Sequence, residues 1–343
     1  MFLAIPFPSW LKPELIPNLP IRWYGVMYIF AFGTAYLLYR RQVRERRFPM
    51  TGDELSGMFF YCIVCLLLGA RIFSTLVYEV DDYYRRQPWL IFWPFRDGRF
   101  TGFMGMSYHG GAIGGTFGII SYALYKRFDP REIGDMFAGS IPLGYTFGRL
   151  GNFINGELYG RATARPWGMI FPHATPYPAG ESWVREIAGK AGIPLEGGMI
   201  NLPRHPSQLY EALLEGVLAW AITWAIRNRK PYKGFLFGIY FVIYGVMRVF
   251  VEYFREPDEY LGYRFEFVKS VLPPAAGHPL LSFSTGQLLS FLEIFLALVW
   301  LVIAARLPDR KPIRVYAEAA ASPGKKNQDS ARKARRKLRK KLR

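Results

Sequence analysis

The sequence contains only two cysteines in 343 residues, Cys62 and Cys65, three apart in one apolar run. Two thiols cannot build a disulfide framework, and no paired ligand nearby completes a metal site. They read as small packing residues of a helix. Histidine is equally scarce: His109, His173, His205 and His278 lie far apart, without an HExxH pair, and no carboxylate cluster accompanies them. No P-loop and no serine nucleophile elbow occurs. Acidic residues number 26 against 44 basic ones, for a net charge of +18. The first twenty residues lack a basic n-region and a cleavage site, so no removable signal peptide is expected. Pro6, Pro8, Pro13, Pro17 and Pro20 make them an irregular lead-in.

What the chain has instead is apolar sequence, 51% hydrophobic and 17% aromatic, in blocks of about 20 residues, the length that crosses a bilayer. Such blocks are too long and unbroken for barrel strands, so their backbone must be helical. The expected fold is an all-α integral membrane protein with about seven transmembrane helices, near 21–39, 54–78, 106–125, 133–151, 208–226, 234–254 and 284–305. Basic residues follow the first, third, fifth and seventh spans: Arg40, Arg41, Arg44, Arg46 and Arg47, then Lys126, Arg127 and Arg131, then Arg227, Arg229, Lys230 and Lys233, then the tail. The positive-inside rule makes that side cytoplasmic, with the N-terminus outside and the C-terminus inside.

The domain layout follows: an extracytoplasmic lead-in at 1–20, a seven-span domain at 21–305 whose 152–207 loop forms a small extracytoplasmic cap, and a disordered basic cytoplasmic tail at 306–343. The 79–105 loop, with Tyr83, Tyr84, Trp89, Phe92, Trp93 and Phe95, suits the outer headgroup layer, where aromatic residues concentrate. The middle of the cap, 174–201, carries no interpretable motif. The tail would be attracted to anionic lipid by about 1 kcal/mol per basic residue. It lacks the interleaved aromatics of single-strand binders, so no nucleic-acid partner is expected.

The stretch around which the chain is organised is Gly148-Arg149-Leu150-Gly151-Asn152-Phe153-Ile154-Asn155-Gly156-Glu157-Leu158-Tyr159-Gly160-Arg161. An arginine inside a bilayer costs roughly 2.5–3.5 kcal/mol on insertion scales, so such residues mark function. Snorkelling of Arg149 from a helix end would explain one arginine, but not two asparagines and a glutamate beside it. Further polar groups are Arg22-Trp23-Tyr24-Gly25, Ser107-Tyr108-His109-Gly110-Gly111, the Arg204 to Glu211 run with Gln208, and Gln287. Gly110, Gly114 and Gly118 form a small-residue ridge for close helix packing, with His109 at its outer mouth. Ser207 is expected to cap the fifth span, with Glu211 in its first turn. Tyr244, Arg248, Glu252 and Arg255 share one helix face, and Arg248 can pair with Glu252. Arg149 and Arg248 offer forks that match phosphate, and an anionic lipid headgroup is the phosphate at hand. Chemistry on phospholipid by positioning and charge is expected, with no metal and no cofactor.

These segments are collinear with, and resemble, the signatures of the prolipoprotein diacylglyceryl transferase family. The resemblance covers about 20–305 and includes Glu256-Pro257-Asp258 after the Tyr244 face; 174–201 and the tail lie outside it. It implies a seven-span enzyme of the bacterial cytoplasmic (inner) membrane with its active site toward the outer half. Such an enzyme moves the diacylglyceryl group of phosphatidylglycerol onto the lipobox cysteine of a prolipoprotein, making a thioether and releasing glycerol 1-phosphate. Carried over by motif, His109, Arg149 and Arg248 are the catalytic candidates. Tyr24, Arg149, Asn152, Asn155, Glu157, Gly160, Tyr244, Arg248 and Glu252 are the candidates for binding phosphatidylglycerol. The partners implied are that lipid, the surrounding membrane and the lipobox of a prolipoprotein signal peptide. A free thiol is only a few per cent ionised at neutral pH, which gives His109 the role of base. The competing readings are a transporter or lipid-binding protein, against which stand the shared depth of the polar residues and the lack of an internal repeat, and a phospholipid transferase with another acceptor.

Overall fold

A computed structural model describes residues 4–16, 22–78, 83–93, 95–96, 99–100, 105–256, 263–267 and 272–308. The basic tail beyond 308 and the Pro257-Asp258 pair lie outside the described residues. The helices are α1 (Trp23–Glu45), α2 (Gly52–Phe73), α3 (Tyr108–Tyr125), α4 (Pro130–Ala138), α5 (Ile141–Asn155), α6 (Ser182–Ala191), α7 (Ser207–Ile226), α8 (Phe235–Glu252) and α9 (Thr285–Arg306). Four helices among the described residues are long and apolar enough to cross a membrane: Gly52–Val77, Ser207–Ile226, Phe235–Glu252 and Thr285–Arg306. They coincide with four of the expected spans. The chain divides into two compact units, Met1–Tyr39 with Asp135–Leu307, and Arg40–Gly134 with Pro308–Arg343.

The second unit is built on α2 and α3. Helix α2 opens on a capping box in which Thr51 Oγ1 accepts from the Glu54 amide and Glu54 Oε2 accepts from the Thr51 amide. The glycine ridge of α3 meets α2 backbone to backbone. A Cβ on Gly110 would sit 2.3 Å from Gly69 O, and one on Gly114 would sit 2.1 Å from Cys65 O. Cys62 and Cys65 are free thiols, and both lie against Gly118 at this seam, as small packing residues should. Arg71, which the sequence did not single out, is buried near the end of α2. It donates to Ile91 O at 2.7 Å and to the Tyr84 hydroxyl at 3.1 Å, tying down the aromatic segment, whose Trp89, Phe92 and Trp93 remain exposed.

In the first unit α1 and α5 approach closely: a Cβ on Gly144 would lie 2.8 Å from Ala31 O, and one on Gly151 would lie 3.0 Å from the Tyr24 ring. Helix α5 also meets α7, where Gly216 leaves room for Thr146. The expected continuous span 133–151 is a correction. It is broken at Gly139 and Ser140 into α4 and α5, because Pro142 in the first turn of α5 cannot continue the preceding hydrogen-bond ladder. Asp135, fully buried in α4, accepts from Lys230 Nζ at 2.7 Å and from the amides of Gly234 and Phe237. It thereby caps the start of α8 from another element. Helix α9 packs on α8, with Ile294 against Gly245 and Leu301 against Gly238, while Leu289, Leu292, Phe295 and Leu296 stay exposed, as a lipid-facing surface would.

The segment from Gly156 to Pro206, motif-free in its middle, is folded. Helix α6 lays Val184 and Ala188 on Ala162, Ile200 and Leu202. Tyr177–Pro178 pairs antiparallel with Met199–Ile200, and the lead-in adds Ile5–Pro6 as a parallel partner of Met169–Ile170. Fully buried Arg204 stacks over the Tyr177 ring, donates to Thr175 O and pairs with Glu256 at 2.7 Å.

Candidate active site

Helix α5 carries Tyr145, Arg149 and Asn152 on one face, since these positions are four and three residues apart. It ends at Gly156, whose φ of 67° is the left-handed C-cap conformation. The chain then turns back so that Glu157 Oε1 accepts from Asn152 Nδ2 at 3.0 Å and Asn155 Nδ2 at 3.2 Å. Gln208 Nε2 and Ser207 Oγ, at the start of α7, donate to the Glu157 and Leu158 carbonyls. Ser207 therefore ties the turn to α7 and does not cap the helix, a correction to the sequence expectation. The buried amide nitrogen of Gln208 thereby has the partner a polar group in an apolar setting needs, while its Oε1 is left without one.

Beyond the turn, Gly160 donates its amide to His205 O at 2.8 Å, and the next amide, of Arg161, donates to Phe254 O. A Cβ on Gly160 would stand 2.2 Å from Phe254 O and 2.8 Å from His205 Cβ. Glycine is required here by close approach, and that contact ties the end of the motif to the end of α8.

Arg149 does not snorkel. Its Nε lies 2.7 Å from Glu211 Oε2 of α7 and donates to the Tyr145 hydroxyl at 2.6 Å. The Tyr145 hydroxyl in turn donates to Glu215 of α7. Arg248 of α8 faces the same carboxylates, with Nη1 3.4 Å from Glu211 and 3.7 Å from Glu215, and Nη2 3.2 Å from Glu252. Arg255 adds a third guanidinium, 3.3 Å from Glu211 Oε1. Glu252 Oε1 accepts from Ser284 Oγ, which with Gln287 forms the capping box of α9. Arg248 Nη1 and Glu215 Oε1 are buried without a hydrogen-bond partner. Three guanidiniums from two segments thus converge on three carboxylates, with donor capacity left over for an anion.

Of the residues expected at the site, Arg149, Arg248, Glu252 and Tyr244 meet at this cluster, while Asn152, Asn155 and Glu157 bond to one another in the turn after α5 and Gly160 packs on Phe254 and His205. Tyr24 lies against Gly151, with its hydroxyl 3.2 Å from that of Tyr28. The Tyr244 ring stands edge-on to Tyr145 at 5.9 Å. The sequence shows Glu211 only as a helix-end charge and does not mark Glu215 or Tyr145. The π-helical turn at Ala212–Leu218 that carries Glu215 is the kind of helix irregularity often found at functional sites, but a sequence does not display it. His109 belongs to the second unit, as the second residue of α3, exposed, with its ring 6.4 Å from that of Phe73. Among the described residues no group of three or more His, Cys, Asp or Glu could hold a metal ion.

A family model described as prolipoprotein diacylglyceryl transferase matches residues 14–303. The chain belongs to the prolipoprotein diacylglyceryl transferase family. It is 50% identical over 323 residues to a phosphatidylglycerol–prolipoprotein diacylglyceryl transferase of Treponema denticola, covering 88% of this chain and 95% of that one. A Treponema pallidum protein of the same description is 49% identical over 315 residues, with 86% and 94% covered. One from Chlorobaculum tepidum is 38% identical over 293 residues, with 84% and 88% covered. The arginine-bearing stretches of this family member, 148–161 and 244–255, both fall inside the matched span.

Proposed function

We propose that this chain transfers the diacylglyceryl group of phosphatidylglycerol to the cysteine thiol of a prolipoprotein, a step of lipoprotein maturation. Membership of the family across 14–303 carries this reading; the buried arginines on apolar helices supply its chemistry. The thiol gives up its proton, and the thiolate sulfur bonds to the glyceryl carbon that bears phosphate. The carbon–oxygen bond breaks and its electron pair leaves on the phosphate oxygen, so glycerol 1-phosphate departs. Arg149 and Arg248 hold the phosphate and stabilise the charge that builds on that oxygen, the effect that usually lowers such barriers most. Tyr24, Asn152, Asn155, Glu157, Gly160, Tyr244 and Glu252 shape the lipid headgroup site around them. His109 is the proposed acceptor of the thiol proton, on the strength of its motif.

The four apolar helices support a multi-pass membrane enzyme. The proposed arrangement has seven spans at 21–305, the 152–207 cap and the site toward the outer face of the bacterial inner membrane, and the 306–343 tail in the cytoplasm, on the charge pattern of the loops.

The test is reconstitution of the full chain with phosphatidylglycerol, a lipobox peptide and its Cys→Ser control. Peptide mass gain and glycerol phosphate release are followed together. Gain confined to the cysteine peptide and lost in Arg149→Ala and Arg248→Ala is the expected result. A well-folded protein that gives no mass gain would overturn the transferase reading. A His109→Gln variant whose residual rate still rises with pH as in wild type would remove His109 as the base.

A further inference from the structure

A cavity of about 370 Å³ lies in the first unit, outside the arginine–glutamate cluster. It is lined by Arg161, Arg165, Trp167, His205, Tyr253 and His278, among others. Every lining residue falls outside the four helices that are long and apolar enough to cross a membrane. No carboxylate lines the cavity.

Arg161 is the informative residue. It is 2% exposed and donates to the Pro274 and Gly277 carbonyls and the Tyr263 hydroxyl. No carboxylate lies within ion-pair distance of it among the described residues, Glu252 and Glu256 acting on it only from farther off, and its Nε is buried without a hydrogen-bond partner. A buried guanidinium normally has a counter-charge. Arg149, Arg204, Arg248 and Arg255 each have one in a glutamate. Burial holds His205 down to about 4 and pushes His278 below its usual value, so at neutral pH both imidazoles are neutral and add hydrogen-bonding atoms without charge. Arg165, exposed at the rim, adds a second guanidinium.

We infer that this cavity binds the phosphomonoester of a small polyol, the glycerol phosphate that leaves in the transfer. This rests on the proposed function. Once the carbon–oxygen bond breaks, the product is a small, water-soluble anion, and the cavity falls within the size range of small-molecule sites. Arg161 follows Gly160 directly, and its Nη2 reaches the backbone carbonyl of Glu252, whose side chain belongs to the cluster. The cavity is therefore next to the place where the phosphate is released.

The test is calorimetric titration of the full chain in detergent with sn-glycerol 1-phosphate, glycerol, inorganic phosphate and phosphatidylglycerol micelles, with transferase turnover measured on the same preparation. Expected are saturable binding of glycerol phosphate, tighter than inorganic phosphate and absent for glycerol, weakened about tenfold in Arg165→Ala and lost in Arg165→Glu. Because Arg165 is exposed, neither variant endangers folding. Equal binding by wild type and Arg165→Glu would overturn the assignment, as would inorganic phosphate binding as tightly as glycerol phosphate. Displacement of glycerol phosphate by phosphatidylglycerol would assign the cavity to the lipid headgroup and overturn it too. Turnover without glycerol phosphate binding defeats this inference alone; binding without turnover defeats the transferase reading and leaves the anion site standing.

Discussion

Glu211 is the residue on which the candidate site depends most, and replacing it with glutamine tests that directly. Its side chain is fully buried and three guanidiniums converge on it, Arg149 at 2.7 Å, Arg255 at 3.3 Å and Arg248 at 3.4 Å. With an effective dielectric near 20, each pair represents about 5–6 kcal/mol of gross attraction. Several kcal/mol of that is offset by dehydrating the carboxylate. Glu211→Gln keeps the shape and removes the charge, leaving three arginines facing Glu215 and Glu252 alone. Removing one partner of a buried pair costs about 3–5 kcal/mol, and that is the expected loss of stability, read by denaturant unfolding in detergent. Arg149→Gln should cost a similar amount. The double variant should be less destabilised than the two together, by about 1–3 kcal/mol of coupling. If Glu211→Gln unfolds within about 0.5 kcal/mol of wild type, or the pair proves additive to that margin, these ion pairs do not hold α5, α7 and α8 together and the reasoning fails.

Gly160→Ala would drive a methyl group against Phe254 O and His205; a loss of about 1–3 kcal/mol is expected, seen as a lower melting temperature together with lower turnover. Arg248→Lys keeps the charge but cannot span Glu211 and Glu252 with one planar fork; kcat should fall by about 10²-fold or more with little change in melting temperature. For His205 the folded value, about 4, lies below the unfolded 6.5. The unfolded state therefore binds the proton more readily, and stability is lost as pH falls from 6.5 toward 4. The loss is at most about 3 kcal/mol, and a melting-temperature series from pH 4 to 7 should be flatter in His205→Gln.

The parts of the site that could be read from the sequence are those whose partners lie within one helix or one turn. Arg248 with Glu252 at four-residue spacing needed only helical periodicity, and Asn152, Asn155 and Glu157 read as one group because they are near neighbours in the chain. Glu215 did not announce itself, because it stands alone in an apolar run and its partner Tyr145 is seventy residues away in sequence. The glycine ridge of α3 was legible because close packing needs small residues at a fixed spacing. The break between α4 and α5 is signalled by Pro142 alone, and the apolar residues on both sides of it read as one continuous span. The fold of 174–201 escaped notice because its core is assembled from Ala162, Val184 and Ile200, too far apart for any local period to register.

Arg149, Arg248 and Arg255 facing Glu211, Glu215 and Glu252 make a formally neutral cluster, which is how ionised groups are accommodated among apolar helices. Neutrality also dictates how the helices assemble. Arg149 finds no counter-charge on α5, and on α8 Glu252 alone faces Arg248 and Arg255, so α5, α7 and α8 have to meet before all of the charges are satisfied. The motif that dominates the sequence thus brings one charge of the cluster, Arg149; α7 supplies Glu211 and Glu215, carboxylates that look unremarkable in one dimension, and α8 with its end supplies Arg248, Glu252 and Arg255. In the proposed function an arriving phosphate brings one more negative charge and has to compete with those carboxylates for the guanidiniums. Arg248 Nη1, with carboxylates only at 3.4 and 3.7 Å and no hydrogen bond closed, is the donor for which it competes at least cost. A cluster that is complete in charge but incomplete in hydrogen bonds can hold the helices together and still leave a donor for the phosphate that the proposed function brings to it.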